Sequence, residues 1–147
     1  MADWDNRFMD LANHVAGWSK DRSTKVAAVI TDENHRILSI GYNGFPSGCN
    51  DQKEERHQRP AKYLYTEHAE RNAIYNAARN GIRLEGATIY IPFCPCVDCA
   101  RAIIQSGIKR VVAGQPKQED YERLKATFHF ETSIELFYES GVIFNYY

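Results

Sequence analysis

The sequence predicts an α/β fold: a three-layer α/β/α sandwich with a central mixed sheet of about five strands. Three observations predict it. Short apolar runs of strand length alternate with longer segments of helical periodicity, the pattern that puts helices on both faces of a mostly parallel sheet. The first two runs instead lie close together across an Asp/Asn-rich turn and read as a hairpin, which makes the sheet mixed. The 147 residues, 44% apolar and 25% charged, have the length and composition of one globular domain. No repeat, low-complexity tract or linker divides them, so residues 1–147 are read as a single domain.

Each element has its own signal. Trp4, Phe8, Leu11, Val15 and Trp18 recur at helical spacing and predict an amphipathic helix over residues 5–19. The connector Lys20-Asp21-Arg22-Ser23-Thr24-Lys25 is polar and basic, either a solvated loop or a phosphate contact. Residues 26–30 and 37–40 form the hairpin, with His35 exposed in its turn. From Gly41 to about residue 65 the chain shows no periodicity, and so long an irregular stretch inside a compact domain is usually functional. Gly41 and Gly44 there permit positive φ or close backbone approach, and Asn43 offers donors and an acceptor. Thr66 is expected to cap a helix over residues 67–80, buried along Ala69, Ala73, Ile74 and Ala77 and ended by Asn80-Gly81. A strand over 87–91, a turn, a helix over 97–106 stopped by Gly107, and a strand over 110–113 follow. A helix from about residue 119, another over 131–140 and a strand over 142–144 complete the chain.

Two short motifs carry the chemistry: His68-Ala69-Glu70 at the start of one helix and Pro95-Cys96-Val97-Asp98-Cys99 at the start of the next. His68, Cys96 and Cys99 are three zinc ligands, and three protein ligands leave the fourth tetrahedral position to water, as in a catalytic site. Residues two apart on a helix diverge by roughly 200°, so Glu70 is a base for that water rather than a fourth ligand. Cys94, the only other cysteine nearby, is restricted by Pro95 and is expected to be a small buried wall residue. Two helix N-termini directed at the ion favour thiolates and anionic intermediates.

His-x-Glu followed by Pro-Cys-x-x-Cys is the signature of zinc deaminases of nucleobases. With Ser19-Lys20, the run Val26-Ala27-Ala28-Val29-Ile30, Gly41-Tyr42-Asn43-Gly44-Phe45-Pro46-Ser47-Gly48-Cys49, Asn72-Ala73-Ile74 and Ile104-Gln105-Ser106-Gly107-Ile108-Lys109, the chain resembles the deoxycytidylate (dCMP) deaminases of the cytidine deaminase superfamily. The resemblance runs from about Trp18 to Val112 and implies a cytidine deaminase-like fold. It also implies hydrolytic deamination of dCMP to dUMP with one Zn2+ per subunit, supplying thymidylate synthesis. Glu70 would take a proton from water, deliver it to the ring nitrogen of cytosine, and then protonate the departing amine. Asn43, Ala69, Pro95, Lys20 and Thr24 are the expected substrate contacts. Lys20, Arg22, Lys25, Arg59, Lys117 and Arg123 are the cations from which a phosphate site would be drawn. The resemblance further implies a homo-oligomer, with a hexamer favoured, and dCTP and dTTP as effectors. These would bind near Tyr42, Asn43, Gly44 and Phe45, with Mg2+ accompanying the triphosphate. The sequence departs from the family's pattern at Ala27, where glycine is usual, and after Gly114, where a tyrosine-rich closing segment is missing. Cys49 and His57 survive from the second zinc site of some phage relatives, but their further cysteine is absent.

Composition excludes other classes. A formal net charge of −1 argues against an extended nucleic-acid surface, so deamination within a polynucleotide is the weaker reading. A cytosine nucleotide substituted at the 5-position remains an alternative substrate, and a nucleotide sensor with structural zinc is the non-enzymatic alternative. No run is apolar enough to span a membrane, the start does not resemble a leader, and three of the four cysteines crowd between Cys94 and Cys99. Those features suggest a reducing, cytoplasmic setting.

Overall fold

Five strands, β1 (Ala27–Thr31), β2 (Ile37–Tyr42), β3 (Thr88–Ile91), β4 (Arg110–Ala113) and β5 (Ile143–Tyr146), form one sheet in the order β2-β1-β3-β4-β5. The computed structural model describes residues 3–147. β1 is antiparallel to both its neighbours, while β3, β4 and β5 pair in parallel. The hairpin is therefore what makes a parallel array mixed. Six helices surround the sheet: α1 (Trp4–Ala16), α2 (Lys62–Tyr65), α3 (Ala69–Arg79), α4 (Val97–Gln105), α5 (Gln118–Phe128) and α6 (Phe130–Ser140). None is long and apolar enough to cross a membrane.

Strand alternation assigns the two faces. Val29, Tyr90 and Val112 pack with Phe8, Met9 and Ala12 of α1. Their neighbours Ala28, Ile30, Ile89, Ile91, Val111 and Ala113 point the other way, against α3, α4 and α6. The α3 stripe of Ala69, Ala73 and Ala77 is fully buried, and small side chains let this helix approach the sheet closely. Gly41 shows how closely: a Cβ there would lie 2.4 Å from the backbone N of Ala73. Ser39 secures the contact by donating to the Ala73 carbonyl at 2.7 Å. The start of α3 is thereby fixed against β2.

Several boundaries differ from the sequence reading for local reasons. α1 starts at Trp4 because the Asp3 side chain accepts from Asn6 N–H, and it ends at Ala16. The N–H groups of Gly17, Trp18 and Ser19 then make tight-turn bonds to His14, Val15 and Ala16. β2 extends through Tyr42, so Gly41 is needed for close approach, whereas Gly44 has no positive φ and nothing near its Cβ position. The irregular stretch contains a 3-10 turn, Glu54–Arg56, and the four-residue α2. Thr66 ends α2 and does not cap α3, whose N-cap is His68 itself. At the other end of α3, Gly81 takes φ +67 and lets Ile82 N–H reach the Ala77 carbonyl at 2.9 Å, the left-handed helix stop expected after Asn80. α5 and α6 are separated only by His129 in the left-handed region, φ 54.

Candidate active site

Both motif helices begin at one point. His68 is the N-cap of α3, Cys96 the N-cap of α4, and Cys99 lies in the first turn of α4. Close packing of β2 on α3 and of β3 into α4 brings the two helix starts together. His68 Nδ1 lies 3.4 Å from both Cys96 Sγ and Cys99 Sγ, and the three donor atoms fall within 4.8 Å of one another. Tetrahedral zinc, with bonds of about 2.3 Å to sulfur and about 2.0 Å to nitrogen, holds those atoms about 3.5 Å apart. The donor set and its spacing fit Zn2+. Among the described residues it is the one cluster of this kind.

The electrostatics match. The Cys99 thiol hydrogen-bonds to Cys96 and holds it down to about 4, against the opposing effect of burial, with His68 helping. That bond and burial push Cys99 up, so the two sulfurs share one proton that a dication would displace. Burial alone would lower the His68 imidazole, but its bond to Cys96 and the nearby charges of Glu70 and Cys96 raise it. Glu70, 4% exposed, is raised above the ordinary carboxylate value by burial. Glu67 braces the histidine from its other side. Its carboxylate accepts from His68 N–H at 3.0 Å and from Arg71 Nε at 2.6 Å.

A cavity opens from this cluster. Near the metal ligands its wall includes Glu70, Ala69, Phe93, Cys94 and Phe128. The Phe128 ring stands edge-on to His68, with centroids 5.7 Å apart. Cys94 is buried, with its thiol pushed up to about 11 by burial, the wall residue its position predicts. The wall also includes Thr24, Asn43, Asp21, Lys62, Arg59 and Arg123. Asn43 is 8% exposed, and its amide clips two strand ends together. Its Oδ1 accepts from Val26 N–H at 2.9 Å and its Nδ2 donates to the Thr24 carbonyl at 2.8 Å. One donor hydrogen is left for a ligand.

The structure separates the expected contacts. Asn43, Ala69 and Thr24 line the cavity; Pro95 does not. Lys20 pairs with Asp51 at 2.8 Å and faces a second cleft. With it there lie Trp18, Tyr42, Gly44, Phe45 and His57. Of the phosphate cations considered, only Arg59 and Arg123 reach the cavity. His35 is exposed, as its turn suggested, and stacks on Trp4. Cys49 is exposed and His57 bonds to the Asp51 carbonyl at 2.5 Å.

The matched family is the cytidine and deoxycytidylate deaminase zinc-binding region, over residues 2–115. The chain belongs to this family. The deaminases it resembles include one from Aliivibrio fischeri, 42% identical over 95% of this chain and 90% of its own. The deoxycytidylate deaminase of Mus musculus is 39% identical over 84% of this chain and 71% of its own. The dCMP deaminase of cyanophage S-TIM5, solved with dCMP and dUMP, superposes with a TM-score of 0.78, covering 100% of this chain and 98% of that one at 24% identity. That likeness establishes a shared fold, the cytidine deaminase-like sandwich. The chain is thus an enzyme of a zinc-binding deaminase family, and its His/Cys/Cys cluster fits Zn2+.

The sequence reading missed a buried ion pair in this deaminase. Lys62 Nζ donates to both Asp21 oxygens at 3.2 Å and to Ser23 Oγ at 2.7 Å. Asp21 in turn accepts from Ser23 N–H and Thr24 N–H, both at 2.9 Å. The side chains are 11% and 7% exposed, so this connector is not a solvated loop. An Asp followed two and three residues later by Ser and Thr is a recognisable Asx-turn signal. Its partner forty-one residues away left no trace in the sequence.

Proposed function

We propose that the protein hydrolyses dCMP to dUMP and ammonia. The observation that carries this reading is one cavity whose wall combines residues of a three-ligand zinc set and a buried carboxylate with cationic side chains. His68, Cys96 and Cys99 would hold Zn2+, one per subunit. Bound there, the ion lowers the pKa of water toward neutrality and so supplies the attacking hydroxide. Glu70, whose carboxyl burial makes more basic, would take a proton from the attacking water and pass it to the ring nitrogen beside the amino-bearing carbon. It would then take the proton of the hydroxyl newly formed on the attacked carbon, which becomes the carbonyl of dUMP, and deliver it to the departing amine, which leaves as ammonia. The backbone N–H of Ala69, at the positive end of α3, is suited to the base carbonyl. Asn43 offers its remaining N–H to the sugar, with Thr24 beside it.

Regulation belongs to the same reading. The second cleft combines the aromatic residues Trp18, Tyr42 and Phe45 with Lys20 and Arg22, chemistry suited to dCTP or dTTP with Mg2+. It shares Asp21, Asn43, Lys62 and Thr66 with the catalytic cavity. A homo-oligomer, a hexamer by family resemblance, acting in the cytoplasm completes the proposal. The deciding assay measures ammonia release from dCMP, CMP, 5-methyl-dCMP, deoxycytidine and a cytosine oligonucleotide, each with and without dCTP. Deamination of dCMP before all others is expected. Preference for the oligonucleotide would overturn the proposal.

A further inference from the structure

Three cationic side chains line the catalytic cavity: Arg59, Lys62 and Arg123. Their existing bonds rank them. An ammonium has three donor hydrogens, and those of Lys62 are taken by the two Asp21 oxygens and Ser23 Oγ. Asp21 also cancels its charge. The guanidinium groups have five donors each, and Arg59 uses one on Ser23 Oγ at 3.3 Å. Arg59 has no carboxylate partner among the described residues, and Arg123 pairs with Asp120 at 3.0 Å on the surface. A phosphate dianion in this cavity therefore meets two available guanidinium forks and a saturated lysine.

The two arginines differ in what carries them. Arg59 is anchored through Ser23 to the buried Asp21–Lys62 pair. Arg123 sits on α5, whose only buried residue is Leu124. Leu124 and Phe128 line the same cavity, and the Phe128 ring stands edge-on to His68. α5 thus gives the cavity wall a guanidinium, Arg123, and sets an aromatic ring, Phe128, against a metal ligand, and it occupies the segment after Gly114 where the tyrosine-rich sequence is missing.

We propose that Arg123 is the specificity-determining residue for a 5′-phosphate on the substrate, and that Phe128 on the same helix couples phosphate engagement to the position of His68. The proposal rests on the deaminase reading above and names the group that makes it a nucleotide deaminase. Asp120 releases Arg123 when the phosphate arrives, and α5 settles onto the cavity. Interactions formed with a remote part of the substrate then raise turnover as well as affinity.

The test compares dCMP with deoxycytidine in wild type, Arg123→Met, Arg123→Lys and Arg59→Met. Charge-assisted bidentate contacts to phosphate predict a drop of about 10- to 100-fold in kcat/KM for dCMP in Arg123→Met, shared between kcat and KM, with deoxycytidine unaffected. Arg123→Lys restores part of it, and Arg59→Met raises KM alone. Inorganic phosphite added in trans raises kcat/KM for deoxycytidine in wild type and not in Arg123→Met. An equal loss with both substrates, or phosphite activation that survives in Arg123→Met, would overturn the proposal while leaving the deaminase reading standing. Failure of the wild type to deaminate dCMP would remove both.

Discussion

The two ends of the catalytic cavity are built in opposite ways. At the metal end, every chemical group comes from two motifs of three and five residues, each placed at the start of a helix. At the cationic end, Asp21, Arg59, Lys62 and Arg123 come from three separated stretches and meet only in the folded chain. The metal end can be rigid because its geometry is set by local backbone and by α3 lying against β2. The cationic end depends on a buried ion pair and on a lightly packed helix. Reaction type thus resides in short-range sequence and substrate choice in long-range assembly, so substitutions at the two ends should fail differently.

The largest effect should come at the metal end. Glu70→Gln removes the proton carrier while keeping shape and leaving all three metal ligands in place. Turnover of dCMP should fall by about two to four orders of magnitude, with zinc content and melting temperature close to wild type. A variant that still turns over normally, or that has lost its zinc, would show that Glu70 is not a separate proton carrier beside the ligand set.

At the cationic end the same logic predicts loss of the fold before loss of chemistry. Lys62→Met leaves the Asp21 carboxylate buried without its counter-charge, and stranding one partner of a buried pair costs about 3–5 kcal/mol. Thermal or urea unfolding should register it. The pair also sets an acid limit. Burial alone would raise the Asp21 carboxyl, but the Thr24 and Ser23 N–H groups and Lys62 outweigh it and leave it below its ordinary value. A carboxyl depressed in the folded state contributes its full stability above the unfolded value near 3.9 and loses it as pH falls through the folded value. Unfolding free energy should therefore decline below about pH 5, and in Lys62→Met the decline should be shallower. Identical acid profiles for the two proteins would detach Asp21 from the acid limit.

The same division explains what could be read from the sequence. The five strands, the motif helices and the convergence of His68, Cys96 and Cys99 beside a buried Glu70 follow from periodicity and from residue spacings of two and three. Lys20 was a plausible phosphate contact beside Ser19, yet the fold turns it to Asp51 and the second cleft. Lys62 carries no signal that sets it apart in the sequence, and its burial depends on Asp21 across the chain. Thr66 has the side chain of a helix cap, but a four-residue helix that no pattern announces places it before the bend that makes His68 the N-cap. Pairings set by tertiary contact have no local signature, and the cationic end consists almost wholly of such pairings.

The smallest effect gives the comparison its control. Arg101 pairs with Asp98 on the exposed side of α4, directly behind the metal ligands, with the two side chains 59% and 56% exposed. Like Lys62–Asp21 it joins a cation to an aspartate, but it is local, three residues apart on one helix, and exposed where that pair is buried. Exposed pairs exchange one hydrated state for another and are worth about 0–1 kcal/mol. Arg101→Ala should therefore move the unfolding midpoint by little and leave zinc content and dCMP turnover unchanged, even though its partner Asp98 adjoins the metal ligand Cys99 in the sequence. Should it destabilise the protein as much as Lys62→Met, burial would not be what distinguishes the two pairs. The contrast would then have to rest on position along α4, where a charge in the first helical turn acts on the helix dipole that also faces Cys96 and Cys99.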